Sequence, residues 1–177
     1  MKIWVSSLAM VHQVARDNSP ARIVSLLGPD TPFPDVEGYG PDIHHRVCLD
    51  DDRKPIEGRL TPNEAHVSGA IDFLKDWNPD DAMLVHCWAG ISRSSATAFI
   101  AAFLHNPDID ESLILDDIRE ASPTAFPNTR IVAIADDLMG RSGRMANAAT
   151  RMCSDPDRTS RAYQIGEAVP FSIRARF

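Results

Sequence analysis

Residues 82–86, Ala-Met-Leu-Val-His, are an unbroken apolar run between the turn Asn78-Pro79-Asp80-Asp81 and a helical pattern that begins near residue 92. A short continuous run of this kind is typical of a strand buried on both faces, as in the middle of a parallel sheet. Such a strand demands helices above and below it, which restricts the chain to α/β architectures.

The remaining segments agree. Residues 2–6 (Lys-Ile-Trp-Val-Ser) and 22–27 (Arg-Ile-Val-Ser-Leu-Leu) read as short buried strands, with a helix around 7–17 between them. Residues 28–42 are dense in Gly, Pro and Asp and read as loop. A third strand is expected at about 43–49, followed by a polar loop from Asp50 to Leu60. Thr61-Pro62-Asn63-Glu64 reads as a capping box, with Pro62 at the first helical position, where its missing N–H costs nothing. Val67, Ala70, Ile71 and Leu74 follow at helical spacing and mark one buried face, which Trp77 closes. After residue 92, Ala96, Phe99, Ile100 and Phe103 point inward, and further helices are expected near 110–121 and 128–140. Asn128, preceded by Pro127, is a suitable N-cap for the second of these. The fold class is therefore α/β: a single domain with a mainly parallel central sheet of four to five strands flanked by helices. The main body of the domain is expected over 1–140. Residues 141–177 are expected to be a C-terminal extension packed on the same domain, with a helix around 142–152 and an irregular tail.

Charge divides at the same place. Residues 1–140 hold 11 Lys/Arg against 22 Asp/Glu, a net −11; residues 141–177 hold 7 against 3, a net +4. An acidic body argues against nucleic acid as the main partner, and the basic extension is expected to dock on it. The three cysteines, Cys48, Cys87 and Cys153, cannot complete a disulfide framework and have no metal-ligand spacing. No stretch approaches the roughly 20 apolar residues of a membrane span, and the N-terminus lacks the pattern of a cleaved signal. A reducing, cytoplasmic location is expected, where a reactive thiol would survive.

The chemistry lies in His86-Cys87-Trp88-Ala89-Gly90-Ile91-Ser92-Arg93-Ser94. This segment sits where a buried strand ends and a helix begins, the place where open α/β sheets bind ligands. Backbone N–H groups of Trp88, Ala89, Gly90, Ile91, Ser92 and Arg93 can curl around an anion, helped by the positive end of the following helix. Gly90 allows the tight turn. A cysteine in that cradle, beside Arg93, is favoured as thiolate. The Arg93 guanidinium offers two parallel donors that match phosphoryl oxygens. Ser94 can hydrogen-bond the sulfur and ease its departure. His86 is expected to order the loop backbone, and Trp88 to form the pocket rim.

HCWAGISRS resembles the Cys-x5-Arg-Ser/Thr signature of the protein tyrosine phosphatase superfamily, in its short dual-specificity-like form and of the small bacterial type. Ile118-Arg119 and the helix opened by Pro127-Asn128 are similar to the segment that follows the signature in that family, so the resemblance covers about residues 40–140. It implies a cysteine-dependent protein tyrosine phosphatase, with dual specificity open, working through a phosphocysteine and needing neither metal nor other cofactor. It also implies a general acid: an Asp on a loop some 30–40 residues before the cysteine. Asp50, Asp51 and Asp52 stand there in a row. The family pattern of apolar residue, any residue, Asp fits Leu49-Asp50-Asp51 and selects Asp51. Asp52 is the runner-up, because Asp52-Arg53-Lys54-Pro55 resembles the Asp-x-x-Pro of some relatives. Adjacent carboxylates disfavour one another's ionisation, which suits an acid.

The implied partner is a phosphotyrosine-containing protein or a small phosphate ester. The loop between Cys87 and Arg93 carries no Lys, whereas phosphoinositide-preferring relatives often place basic residues there. Three other readings stay open at this point: a phospho-dependent binding module of little catalytic power, a phosphatase for a non-protein phosphate such as an inositol phosphate, and a thiol-based sulfur or arsenate enzyme on a similar anion loop. Cys48 or Cys153 could serve as a redox partner of Cys87, although core or surface packing is the ordinary role of each.

Overall fold

The computed structural model describes residues 1–154 and 167–173. Its central strand is β4 (Ala82–Cys87), paired in parallel with β1 (Lys2–Ser7) on one side and β2 (Arg22–Leu27) on the other. β3 (His44–Cys48) lies parallel beyond β2, and β5 (Phe171–Ile173) runs antiparallel along β1. The order β3-β2-β4-β1-β5 makes the five-stranded, mainly parallel sheet that the apolar run at 82–86 demands.

Both faces are covered, as such a strand needs. On one face α1 (Val11–Asn18), entered through a 3-10 turn at Leu8–Met10, packs Val11, Val14 and Ala15 against Ile23 and Leu84. On the other, α2 (Glu64–Lys75), α3 (Arg93–Leu104), α4 (Glu111–Ala121), α5 (Thr129–Leu138) and α6 (Arg144–Cys153) enclose the main core. α3 is buried from Arg93 to Phe103, on every side. From Ala98 on its sequence is accordingly apolar all round, which marks an interior helix. Phe99 and Phe103 are among the largest fully buried side chains, so Phe99→Ala would cost roughly 3–5 kcal/mol. Among the described residues no helix is long and apolar enough to cross a membrane.

Two local expectations need correction. The cap of α2 is Asn63, not Thr61: Asn63 is extended (φ −136°, ψ 175°) and its Oδ1 accepts the His66 N–H at 3.1 Å. Pro62 therefore lies before the helix, Glu64 is its first residue, and the Thr61 hydroxyl instead accepts the Ile56 N–H at 3.3 Å. Asn ranks above Thr as an N-cap, and Pro is tolerated just outside a helix as well as just inside. A strand not expected from the sequence, Phe171–Ile173, completes the open edge of β1; residues 155–166 and 174–177 of the tail lie outside the described residues.

The start of the extension docks by charge and by capping. Glu111, only 3% exposed, accepts from Arg141 and Arg144, each at 2.9 Å. The buried Asp136 carboxylate accepts the N–H groups of Gly143 and Met145, both at 2.6 Å, and of Ala146 at 3.1 Å, and so caps α6 from α5.

Candidate active site

Parallel strands present their carboxyl ends to a common crevice, and β4 ends there on Cys87 with Ser7 of β1 beside it in register. The chain then turns through residues 88–92 and enters α3 at Arg93. Gly90 makes the turn possible. Its φ is +74°, and a Cβ there would lie 2.8 Å from the Ser6 carbonyl carbon and the Ser7 nitrogen. Only glycine meets both conditions.

Cys87 is 2% exposed; its sulfur accepts the Gly90 N–H at 3.3 Å and shares a hydrogen bond with the Ser94 hydroxyl at 3.2 Å. The turn that follows Cys87 leads into the N-terminus of the 12-residue helix α3, where the free N–H groups carry partial positive charge. The loop carbonyls point the other way. Trp88 O accepts Leu8 N–H (3.1 Å), Ile91 O accepts Phe126 N–H (3.0 Å), and Ser92 O accepts Asn128 N–H (3.2 Å). Arg93 is 7% exposed; its Nη1 donates to Leu49 O at 2.9 Å, while its buried Nε has no partner among the described residues. A buried guanidinium N–H left unmatched, next to the loop that turns the Gly90 amide inward, fits an oxyanion.

The carbonyl that holds Arg93 belongs to the residue preceding the Asp row, and the three carboxylates are sorted just beyond it. Asp51 Oδ1 accepts from Ser92 Oγ and from Asn128 Nδ2, each at 2.7 Å. Asp50 and Asp52 both face Arg59, at 3.1 and 2.7 Å, and Asp50 also accepts the Leu60 N–H at 2.9 Å. Of the three, Asp51 is therefore the one joined to the loop between Cys87 and Arg93. Asn128 is the site residue that sequence reasoning missed: fully buried, it caps α5 through Oδ1 (Arg130 N–H 3.0 Å, Ile131 N–H 3.1 Å) and turns its amide NH₂ on Asp51. The cap was legible; the second half of the amide was not.

The Nε2 of His86 reaches sideways through the sheet. Ser25 Oγ of β2 lies 2.5 Å from His86 Nε2 and 2.7 Å from His44 Nε2 of β3. Burial pushes His86 down to about 4, and burial followed by the Arg46 charge pushes His44 down to about 4, so both rings are neutral at physiological pH. Trp88 is 53% exposed, on the outside of the loop after Cys87. Cys153, at the end of α6, packs beside Ile91, Phe126 and Ala168, and burial raises its thiol, so it is held protonated. A groove of about 430 Å³ between α2, α3 and α5, lined by Ile71, Phe103, Leu104 and Leu138 among others, includes none of residues 86–94 or 50–52.

No protein-family model matches the chain, and no curated protein matches it in sequence. Solved structures do match it in fold. The crystal structure of human DUSP28 is 18% identical with a TM-score of 0.57, covering 78% of this chain and 94% of its own. That of DUSP15 is 19% identical with a TM-score of 0.56, over 84% and 90%. That of PTPMT1 in complex with PI(5)P is 14% identical with a TM-score of 0.53, over 79% and 94%.

Proposed function

We propose, starting from the protein tyrosine phosphatase fold that this chain has in its dual-specificity-like form, that it is a cysteine-dependent phosphatase acting on phosphotyrosine in proteins. The observation that carries the reading is the Cys87 sulfur, which accepts from Gly90 and shares a hydrogen bond with Ser94 inside a loop whose buried Arg93 keeps an unmatched N–H. The Cys87 sulfur attacks phosphorus, forming an S–P bond as the bond to the leaving oxygen breaks. Asp51 gives that oxygen its proton. Loop amides and Arg93 hold the three equatorial oxygens, where charge concentrates in a loose transition state. Water then attacks the phosphocysteine, passing a proton to Asp51, and the S–P bond breaks toward a sulfur stabilised by Ser94.

PTPMT1 with PI(5)P keeps a second substrate class in view. The absence of Lys between Cys87 and Arg93 favours the phosphopeptide. The test is hydrolysis, with EDTA present, of an aryl phosphate, a phosphotyrosine peptide and a phosphoinositide. Wild type should turn over the first two; Cys87→Ser should be inactive, and Asp51→Asn should lose about 10²–10⁴ in rate while Asp52→Asn loses far less. Binding of the phosphopeptide without turnover of any ester would replace the enzyme with a phospho-dependent binding module.

A further inference from the structure

The C-terminal segment reaches the loop as well. Ala168, 5% exposed, donates its N–H to Ala89 O at 2.8 Å, and packs with Ile91 and Phe126. Three residues on, Phe171 begins β5, whose pairing with β1 anchors the segment to the strand that ends beside Cys87.

That hydrogen bond falls on a particular peptide group. A trans peptide is planar, with its C=O and N–H directed oppositely. No cis bond occurs among the described residues. The plane joining Ala89 to Gly90 carries Ala89 O on its outer end and Gly90 N–H on its inner end, and that N–H is the donor to Cys87 Sγ at 3.3 Å. Fixing the carbonyl outward therefore fixes the amide inward. Gly90 needs such an external hold, since a glycine at φ +74° has no side chain of its own to settle the plane.

We propose that Ala168 is a positioning residue of the phosphate loop: its backbone N–H aims the Gly90 amide at the sulfur and at the bound oxyanion, which makes the C-terminal extension a working part of the site. This rests on the phosphatase reading for its chemistry, but oxyanion binding tests it without turnover. Ala168→Pro removes the donor, and Ala168→Gly retains it. Binding of inorganic phosphate is measured by calorimetry in the full chain, with Gly90 amide hydrogen exchange followed by NMR and folding checked by thermal unfolding.

Ala168→Pro should weaken phosphate binding by about tenfold and speed Gly90 exchange, as expected for one donor lost around an anion. Ala168→Gly should stay within about twofold of wild type. Phosphate affinity unchanged in Ala168→Pro, or lost equally in Ala168→Gly, overturns the assignment. If Ala168→Pro does not fold, the pair Phe171→Ser and Ile173→Ser lifts β5 from the sheet edge; the same loss of affinity supports the proposal and an unchanged affinity refutes it. A wild type that binds phosphate but hydrolyses no ester would sink the enzyme reading and leave this test intact.

Discussion

Acidification should destabilise this fold through two histidines that never meet solvent. His44 and His86 each fall from 6.5 to about 4 in the folded protein, chiefly by burial. Between them stands the Ser25 hydroxyl, with one proton for two facing nitrogens. Ser25 donates to one ring and accepts from the other, so both Nε2 atoms are satisfied with the rings neutral; protonating the accepting ring turns a second donor onto Ser25, and protonating the donating ring adds a proton at a buried Nδ1 that has no partner among the described residues. A folded pKa below the unfolded one means that the unfolded chain binds more protons in between. The stabilisation is fully present above 6.5 and is lost as pH falls through about 4. At about pH 5 each ring has cost about 2 kcal/mol, and the pair about 4 kcal/mol, a large share of a typical 5–15 kcal/mol. Urea unfolding at about pH 8 and about pH 5 measures it. His44→Gln keeps a polar group for Ser25 but cannot titrate, so its loss over the same interval should be about 2 kcal/mol smaller than wild type. Carboxylates common to both proteins cancel in that difference. Equal losses in the two proteins would refute the reasoning.

Two further substitutions separate positioning from stability. Gly90→Ala forces a Cβ to within 2.8 Å of backbone at Ser6 and Ser7 while φ stays positive, so it should cost about 2–4 kcal/mol in chemical denaturation and take phosphate binding with it. Asn128→Ala should lose about 1 kcal/mol of α5 capping together with the hold on Asp51. Asn128→Ser, a good cap with no amide, should recover the unfolding midpoint while aryl phosphate turnover stays low.

The parts of the site that announce themselves in sequence are those whose chemistry needs particular side chains at fixed spacing. Cys87, Gly90, Arg93 and Ser94 lie within eight residues, so the strand–turn–helix geometry that unites them is local. The α2 face was legible for the same reason: Val67, Ala70, Ile71 and Leu74 obey one period, and all are buried. The cap before it was not, since Thr61 and Asn63 are both capping residues and only the backbone at Asn63 decides. The sorting of Asp50, Asp51 and Asp52 needed Arg59, Ser92 and Asn128 to be placed in space. The Ser25 bridge required the register of three strands. β5 was illegible because Phe-Ser-Ile is too short to carry a period and becomes a strand only against the exposed edge of β1.

A deeper reason separates the loop from its supports. The inward amide of Gly90 follows from the outward carbonyl of Ala89, and the loop carbonyls are held by backbone N–H groups of Leu8, Phe126, Asn128 and Ala168, drawn from three distant parts of the chain. Any residue except proline supplies such a donor, so composition and spacing carry no mark of it. The one trace is where proline stands. Pro127 lies between the donors Phe126 and Asn128, and Pro170 lies two residues beyond Ala168. A shift of one residue in the 126–128 segment would set Pro127 against Ile91 or Ser92 and lose one backbone hydrogen bond, at about 0.5–1.5 kcal/mol, while Ser95 Oγ still reaches both carbonyls. The Asn128 cap fixes that register by tying the segment to the first turn of α5, and the same side chain sets Asp51. Register of the support and placement of the candidate acid therefore stand or fall together.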